Sequence, residues 1–335
     1  MSVTVKKLVY KENGDPEKVI QLEESKLSTE SLGDSEVLVR WLAAPINPID
    51  LGLVQGTYGA KPAEVNAVVG GNEGCGEVEK VGSKVTTLKP GDWVIPESPP
   101  NGVNTWCTYG IYDADKLAPI QKSLSKLSAA TIVINPPTAY LLLKDMVELK
   151  PGDVVAQNGA NSACGRYIIQ FCRLWGYKTV NVIRDRPGVQ DLKEELKALG
   201  ADEVYTEEEF SKSAPNLKGV RLAIDCVGGE KTKLLMSALE HEGTLVLYGG
   251  MANPTSTQLD PRIMIFKNLY VRGFWVTNWY AQKSKDREQV FTEIGKLLSE
   301  GKLKDPHFTE RKIEDFVEAF RASSSASNSK QIFVF

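Results

Sequence analysis

The pattern of apolar and polar positions changes character once along the chain. Before about residue 130 it indicates short strands separated by tight turns. Apolar and polar side chains alternate over residues 36–43, glycines punctuate an apolar strand at 74–81, and the turn 89–92 leads into a strand at 93–95. We therefore expect the first part of the chain to form a mostly β domain.

After about Asn135 the predicted strands alternate with predicted helices. We expect strands at 154–157, 178–183, 203–205, 221–226, 244–248 and 269–275, and helices at 163–175, 191–199 and 231–239. Such alternation is typical of a parallel, doubly wound sheet. Helices at 286–300 and 313–322 and a closing strand at 331–335 complete the pattern.

The predicted fold is therefore α/β, with a Rossmann-type nucleotide-binding domain inserted into a β-rich domain. We expect this nucleotide domain at residues 135–275 and the two parts of the β-rich domain at 1–134 and 276–335. A length of 335 residues suits two domains.

Composition excludes several classes of protein. Forty Lys and Arg against 43 Asp and Glu give a net charge of -3, so no nucleic-acid partner is expected. No stretch approaches the roughly 20 consecutive apolar residues that a membrane span needs. Five scattered cysteines favour a reducing compartment. The first residues lack a signal or transit pattern, so we expect no targeting segment within this sequence.

The segment 159–165 lies between a predicted strand and a predicted helix, where a phosphate-binding turn belongs. Its glycines allow close approach of a pyrophosphate, and a helix start offers free amide groups. The predicted contacts are Asn161, Ser162, Ala163 and Cys164. Ser162 and Ala163 stand where related loops carry glycine, so a plain strand-to-helix turn is the alternative interpretation.

The next predicted strand is followed by Arg184, Asp185 and Arg186. An acidic residue in this position holds the ribose 2′-hydroxyl of NAD, whereas guanidinium groups suit a 2′-phosphate. We therefore predict NADPH as the coenzyme. In the alternative interpretation Asp185 pairs with either arginine in a solvated turn.

A second coenzyme contact is predicted at the end of the strand 244–248. Tyr248, Gly249, Gly250 and Met251 follow one another there, and glycines after a strand let a nicotinamide or ribose approach the backbone.

Three motifs precede the nucleotide domain: 47–50, 70–78 and 89–94. In this order they resemble the medium-chain dehydrogenase/reductase superfamily, which implies a GroES-like catalytic domain around the Rossmann domain. Zinc-dependent alcohol dehydrogenases of that superfamily read Gly-His-Glu where this chain has Asn72. An amide is a poor zinc ligand and no cysteine cluster exists, so we expect chemistry without metal.

Eight ordered segments narrow the resemblance: 43–48, 55–59, 71–74, 90–96, 135–140, 184–187, 248–251 and 272–275. Together they are similar to the mitochondrial trans-2-enoyl-thioester reductases, or enoyl-[acyl-carrier-protein] reductases. Ala163 and Cys164 depart from that family's loop.

This resemblance implies that Tyr58 is the catalytic proton donor, with Tyr140 and Tyr248 as competitors. A phenol stays protonated at physiological pH and can donate to an enolate. The resemblance also implies coenzyme contacts from Asn135, Phe274, Trp275, Val276 and Lys330.

The implied function is NADPH-dependent reduction of enoyl thioesters of acyl carrier protein, and of CoA, in the mitochondrial matrix. The implied assembly is a homodimer formed through the Rossmann sheets, with the strand 269–275 at the edge. Two alternatives stay open: a quinone or free-enone reductase of the same superfamily, and a non-catalytic NADPH-binding protein.

Overall fold

The structure is a computed structural model that describes residues 2–30, 32–58, 67–251, 257–325 and 328–335. Gly59, the last residue of the predicted turn motif 55–59, lies outside these ranges. The chain divides into a first unit, Met1–Ile134 with Trp279–Phe335, and a second unit, Asn135–Asn278. No helix in the described ranges combines the length and apolar character needed to cross a bilayer.

The first stretch of chain contains the strands β1 (Ser2–Tyr10), β2 (Ile20–Ser28), β3 (Glu36–Pro45), β4 (Val68–Val69), β5 (Cys75–Val81), β6 (Trp93–Pro96), β7 (Tyr109–Asp113) and β8 (Leu117–Ile120). Its helices are α1 (Pro16–Val19), α2 (Pro48–Gln55) and α3 (Lys126–Ala130).

The middle of the chain contains the strands β9 (Val154–Asn158), β10 (Lys178–Ile183), β11 (Glu203–Thr206), β12 (Val220–Asp225), β13 (Thr244–Leu247) and β14 (Tyr270–Gly273). Its helices are α4 (Asn135–Lys144), α5 (Ala163–Trp175), α6 (Val189–Leu199), α7 (Glu207–Ser213), α8 (Lys231–Ala238) and α9 (Pro261–Lys267). The end of the chain adds α10 (Val276–Gln282), α11 (Ser284–Ser299), β15 (Phe308–Arg311), α12 (Phe316–Ser324) and β16 (Lys330–Val334).

In the first unit the carboxyl-terminal strand completes a sheet begun near the amino terminus. The order of the larger sheet is β15-β16-β3-β5-β6-β8, and β7 also pairs with β3. β16 runs antiparallel to β3, with Ile332 opposite Pro45. The rings of Trp106, Phe320 and Phe333 pack together beside this junction. Burial of these large apolar side chains joins two parts of the sequence that are far apart.

The second unit is a parallel sheet in the order β11-β10-β9-β12-β13-β14. The prediction of a doubly wound parallel sheet is confirmed. The direction of winding reverses between β9 and β12, and ligands of such sheets bind beyond the carboxyl ends of the strands at that point. β14 lies at the edge of the sheet, where the prediction placed it.

The predicted ends of two strands that bear on the candidate site differ from the structure. The strand expected over 269–275 covers Tyr270–Gly273, and helix α10 begins at Val276. Trp275 therefore lies outside the strand and is 50% exposed. The strand expected to reach Tyr248 ends at Leu247, because pairing of β13 with β12 and β14 stops there. Strand β2 escaped prediction because its polar residues lack strict alternation; its complete pairing with β1 stabilises it.

Candidate functional site

Tyr58 owes its position to the way helix α2 ends. Gly56 caps the helix in the left-handed conformation, at φ 70°, and its added Cβ would meet the Asn13 side chain. Asn13 Nδ2 donates to the last carbonyls of the helix, those of Leu53 and Val54, at 3.0 and 3.1 Å. The Tyr58 amide then turns back to the carbonyl of Gly52 at 3.2 Å. Tyr58 is half-buried and packs directly on Gly52, where any larger residue would crowd its Cβ.

The other end of α2 carries a buried polar group. Asp50 Oδ2 accepts from the Asn47 amide at 2.7 Å, which is half of a capping box. Lys330, at the start of β16, donates from Nζ to Asn47 Oδ1 at 2.6 Å. The structure thus places Lys330 against the amino end of the helix that positions Tyr58.

Asn72 and Glu73 reach the same place from the loop before β5. The ring of Trp106 covers Gly70 and Gly71. A Cβ added to Gly70 would lie 2.3 Å from this ring, and a Cβ added to Gly71 would lie 2.5 Å from it. This packing directs the following residues inward. Asn72 Nδ2 donates to Asp50 Oδ1 at 2.8 Å, and Asn47 Nδ2 donates to Glu73 Oε2 at 2.8 Å.

Glu73 also ties the loop to the chain before α4. Its Oε1 accepts from the amides of Val133 and Ile134, both at 2.8 Å. We call this set the buried cluster; its members are Asn47, Asp50, Asn72, Glu73 and Lys330. The first four are at most 8% exposed.

Burial controls the ionisation of the cluster's carboxyl groups. It raises the pKa of Asp50 to about 6 and that of Glu73 to about 7. The nearby charge of Lys330 and the amide donors act in the opposite direction on both pKa values. Both groups therefore titrate near neutral pH, although each is fully enclosed.

The buried cluster does not fit a zinc ion. Both oxygens of Asp50 and both oxygens of Glu73 accept hydrogen bonds from N–H groups, and Asn72 presents an amide nitrogen already used as a donor. Within the described ranges no group of three or more His, Cys, Asp or Glu side chains is arranged to hold a metal.

In the second unit the segment 159–165, here called the nucleotide loop, connects β9 to α5. Gly159 is left-handed, at φ 58°, and an added Cβ would lie 2.4 Å from Cys226 Sγ. Ser162 caps α5 by accepting from the Gly165 amide at 3.1 Å. A Cβ on Gly165 would lie 2.7 Å from the carbonyl oxygen of Ala160. Close packing therefore holds Asn161, Ser162 and Ala163 at the helix start, half-buried.

Arg184, Asp185 and Arg186 follow β10, the strand beside β9. Arg184 and Asp185 are exposed, and Arg186 is half-buried. Partial burial lowers the pKa of Arg186, and the positive charges of Arg184 and Arg166 lower it further. Arg186 therefore experiences the positive charges of both Arg184 and Arg166, partly opposed by the negative charge of Glu195, and an anion beside Arg186 would be favoured.

The predicted contacts after β13 divide into two kinds. The Tyr248 hydroxyl hydrogen-bonds with the thiols of Cys164 and Cys226, and burial raises its pKa well above the usual value. Its hydroxyl therefore contacts the base of the nucleotide loop. Gly249 packs against the Cys226 backbone, where a Cβ would lie 2.6 Å from the carbonyl oxygen, while Met251 is 62% exposed. Gly250 lies between them in the same turn.

The remaining predicted contacts lie at element ends of the second unit. Phe274 donates its amide to the Leu247 carbonyl at 2.9 Å, which places it beside the end of β13. Trp275 follows, and Val276 begins α10. Asn135 is the first residue of α4 and is half-buried. Tyr140, the competitor of Tyr58, packs edge-on against Phe171 and Trp175 between α4 and α5.

Several polar residues of the site escaped the sequence reasoning. Asp225, fully buried at the end of β12, accepts from Asn158 Nδ2 at 2.6 Å and from the Gly228 amide at 2.8 Å. Asn158 in turn accepts from the Cys226 amide at 2.9 Å, so the carboxyl ends of β9 and β12 are joined below the nucleotide loop. The sequence signal that could have identified this group is the carboxylate of Asp225 at the end of an otherwise apolar strand.

The nucleotide loop fits a dinucleotide phosphate. Its glycine positions leave no room for side chains, its helix start presents amide groups, and arginines follow the adjacent strand. The first unit contributes a tyrosine at a helix end and a lysine held by an amide. Hydroxyl and ammonium groups are the donors that stabilise a developing oxyanion.

The family model of the alcohol dehydrogenase GroES-like domain matches residues 33–126, and that of the zinc-binding dehydrogenases matches residues 163–295. The predicted combination of a GroES-like domain with a Rossmann domain is confirmed.

Three proteins illustrate the similarity over the full chain. A Caenorhabditis elegans protein named mitochondrial enoyl-[acyl-carrier-protein] reductase is 44% identical over 99% of this chain and 96% of its own length. A complex of Etr1p with NADP and crotonyl-CoA has a TM-score of 0.91 at 30% identity, covering 99% of this chain and 100% of that chain. The mitochondrial 2-enoyl thioester reductase Etr1p/Etr2p heterodimer from Candida tropicalis also has a TM-score of 0.91, at 31% identity and the same coverage.

Proposed function

The chain belongs to the mitochondrial enoyl-[acyl-carrier-protein] reductase family, and we propose that it reduces the trans-2 double bond of enoyl thioesters with NADPH. The resemblance drawn from the eight sequence motifs is confirmed at the level of the family. The observation that carries the proposal is the structural match, at a TM-score of 0.91, to Etr1p in its complex with NADP and crotonyl-CoA.

The proposed reaction adds a hydride and a proton across a carbon–carbon double bond. When bound, NADPH supplies the hydride to the β-carbon, and the electron pair of the double bond moves toward the thioester oxygen. The α-carbon then takes a proton. We assign this proton to the Tyr58 hydroxyl, because α2 and its glycine cap hold that side chain in a defined position.

The coenzyme assignment rests on the second unit. Arg184 and Arg186 would bind the 2′-phosphate as charge-assisted donors, and the nucleotide loop would receive the pyrophosphate at the start of α5. Gly249, Gly250 and Met251 would lie along the nicotinamide ribose. We keep the family-implied contacts as proposals; they are Asn135, Tyr248, Phe274, Trp275, Val276 and Lys330.

For the carrier and the location we extend the names of the relatives. Etr1p was solved with crotonyl-CoA, and the Caenorhabditis elegans relative is named for acyl carrier protein. We propose that the chain accepts both carriers and acts in the mitochondrial matrix.

We further propose a homodimer that forms at the edge strand β14. Tyr270 on this strand is 54% exposed, and Ile265 and Phe266 on the neighbouring helix α9 are 73% and 81% exposed. The other face of α9 is inward, since Ile263 and Met264 pack on the core of the second unit. A strand at the edge of the described sheet, beside exposed apolar side chains, suits pairing with a second copy.

The activity test compares two hydride acceptors, and it compares the wild type with a variant that lacks the Tyr58 hydroxyl. We expect NADPH oxidation with crotonyl-CoA to exceed that with a quinone, and Tyr58→Phe to lower kcat by about 100-fold or more with little change in NADP⁺ affinity. Tyr109→Phe, which removes the hydroxyl of another half-buried tyrosine in the first unit, is the control. Preference for the quinone, or full turnover in Tyr58→Phe, would contradict the assignment.

The dimer is tested by sedimentation. Phe266→Asp places a charge in the exposed apolar patch, so the variant is expected to sediment as a monomer at concentrations where the wild type is a dimer. Lys197→Asp, on the exposed side of α6, is the control. A monomeric wild type would exclude the assembly and leave the activity assignment intact.

A further inference from the structure

Arg166 on helix α5 is an unusual buried charge. It is 3% exposed, and its guanidinium joins two parts of the nucleotide region. Nε donates to the carbonyl oxygen of Asn161, in the nucleotide loop, at 3.0 Å. Nη1 forms an ion pair with Glu195 on α6, the helix that follows the Arg184–Arg186 turn.

The third nitrogen of the Arg166 guanidinium, Nη2, takes part in neither the bond to Asn161 nor the ion pair with Glu195. Nη2 is buried and has no hydrogen-bond partner among the described residues. An unsatisfied donor on a buried cation costs free energy, and a native protein rarely keeps one without a function. The carboxylate of Glu195 is the ion-pair partner of this guanidinium within the described residues, and it leaves the Nη2 donor unused.

The surroundings of Arg166 are those of the proposed coenzyme site. Its positive charge acts on Arg186, and the negative charge of Glu195 acts on Arg186 in the opposite sense. Arg166, Arg186 and Glu195 therefore form one electrostatic group. A 2′-phosphate held by Arg184 and Arg186 would enter the field of this group.

We propose that Arg166 is a coenzyme-selectivity residue, which holds the nucleotide loop against α6 and supplies positive charge behind Arg186 for the 2′-phosphate. The inference rests on the proposed use of NADPH. Glu195 has the opposite role: it balances Arg166 in the free protein and opposes the phosphate when coenzyme binds. The two residues should therefore change 2′-phosphate affinity with opposite signs.

The experiment measures binding without turnover. Isothermal titration calorimetry with 2′,5′-ADP and with 5′-ADP isolates the contribution of the 2′-phosphate. Arg166→Gln is expected to weaken 2′,5′-ADP binding by about tenfold while 5′-ADP changes less than about twofold, the size of effect for a charge several Å from a dianion. Arg166→Lys should recover part of the loss.

Glu195→Gln keeps an acceptor for Arg166 but removes the negative charge. It is expected to tighten 2′,5′-ADP binding by about threefold. Arg173→Gln, an exposed arginine on the same helix, is the matched control and should change neither affinity. Equal losses for both nucleotides in Arg166→Gln would assign a merely structural role and overturn the proposal.

Folding is checked by thermal unfolding of each variant. If Arg166→Gln fails to fold, the Glu195→Gln result decides: tighter binding supports the proposal, and unchanged or weaker binding overturns it. If the wild type binds neither nucleotide, the proposed use of NADPH fails together with this inference. If the wild type binds 2′,5′-ADP and Arg166→Gln discriminates equally well, only this inference fails.

Discussion

The buried cluster of the first unit and the nucleotide loop of the second unit hold their polar groups in opposite states. In the cluster, Asp50 and Glu73 are enclosed, and their carboxylate oxygens accept hydrogen bonds from within the chain. Around the nucleotide loop, Arg184 is exposed, and Nη2 of Arg166 is buried without a hydrogen-bond partner in the part of the chain that the structure describes. Satisfied groups stabilise a fold, whereas groups left unsatisfied are available to a ligand.

This difference separates stability from recognition. Removal of a satisfied buried acceptor leaves its donors unpaired, so the cost appears in the free energy of unfolding. Removal of an exposed arginine leaves nothing unpaired, so the cost appears in ligand affinity. Variants in each region test whether the two properties are separable here.

The largest effect is expected for Arg184→Ala combined with Arg186→Ala. Loss of two charge-assisted donors should weaken NADP⁺ binding by about 100-fold and NAD⁺ binding by less than about threefold. The melting temperature should stay within about 1 °C of wild type, because Arg184 is exposed and Arg186 is only half-buried. Calorimetry and thermal unfolding measure both quantities, and Arg262→Ala, another exposed arginine of the second unit, is the control. Unchanged NADP⁺ affinity would remove the basis for choosing NADPH.

A smaller effect, on stability, is expected for Glu73→Gln. The amide would turn an N–H₂ group toward the Asn47 amide or toward the Val133 and Ile134 amides, which are all donors. We expect a loss of about 2 to 3 kcal/mol in the free energy of unfolding at pH 6. Urea titration measures it. The exposed Glu12→Gln should cost less than about 0.5 kcal/mol; an equally small loss in Glu73→Gln would show that the cluster is not tightly built.

The smallest effect is the pH dependence of the difference in unfolding free energy between wild type and Glu73→Gln. Burial raises the pKa of Glu73 from 4.5 to about 7 in the folded state, so the folded protein binds the extra proton between these pH values. The stabilisation that Glu73 contributes in its protonated form is complete below about pH 4.5 and is lost as the pH rises through 7. The difference in unfolding free energy between wild type and Glu73→Gln should therefore shrink by about 1 to 2 kcal/mol from pH 5 to pH 8. Urea titrations at both pH values measure it, and a difference that grows with pH would reverse the assigned direction.

The sequence was most informative where structure is local. Helix α5 covers Ala163–Trp175 and strand β10 covers Lys178–Ile183, both with the predicted bounds, because their apolar periodicity and the capping serine at 162 lie within each segment. The nucleotide loop belongs to the same class, since it is one turn between consecutive elements. Strand β14 was predicted too long at its end, because the start of α10 depends on packing and not on a local breaker.

The buried cluster could not be predicted in this way. Asn47 and Lys330 are separated by 283 positions in the chain, and only the pairing of β16 with β3 brings them together. Likewise, Glu73 meets Val133 and Ile134 across 60 and 61 positions. Sequence motifs identified Asn72 as the replacement of a zinc ligand and included Asp50 in the segment 47–50, but they did not indicate that these two side chains are partners.

By itself the sequence determined the periodicities, the glycine positions, the basic turn after β10 and the motif order that indicates the family, because each depends on neighbouring residues. Tertiary structure alone decided which polar side chains are enclosed and satisfied, that Lys330 donates to Asn47, and that Arg166 keeps a donor with no partner among the described residues. Burial and hydrogen-bond satisfaction depend on atoms that the chain brings together only when it folds.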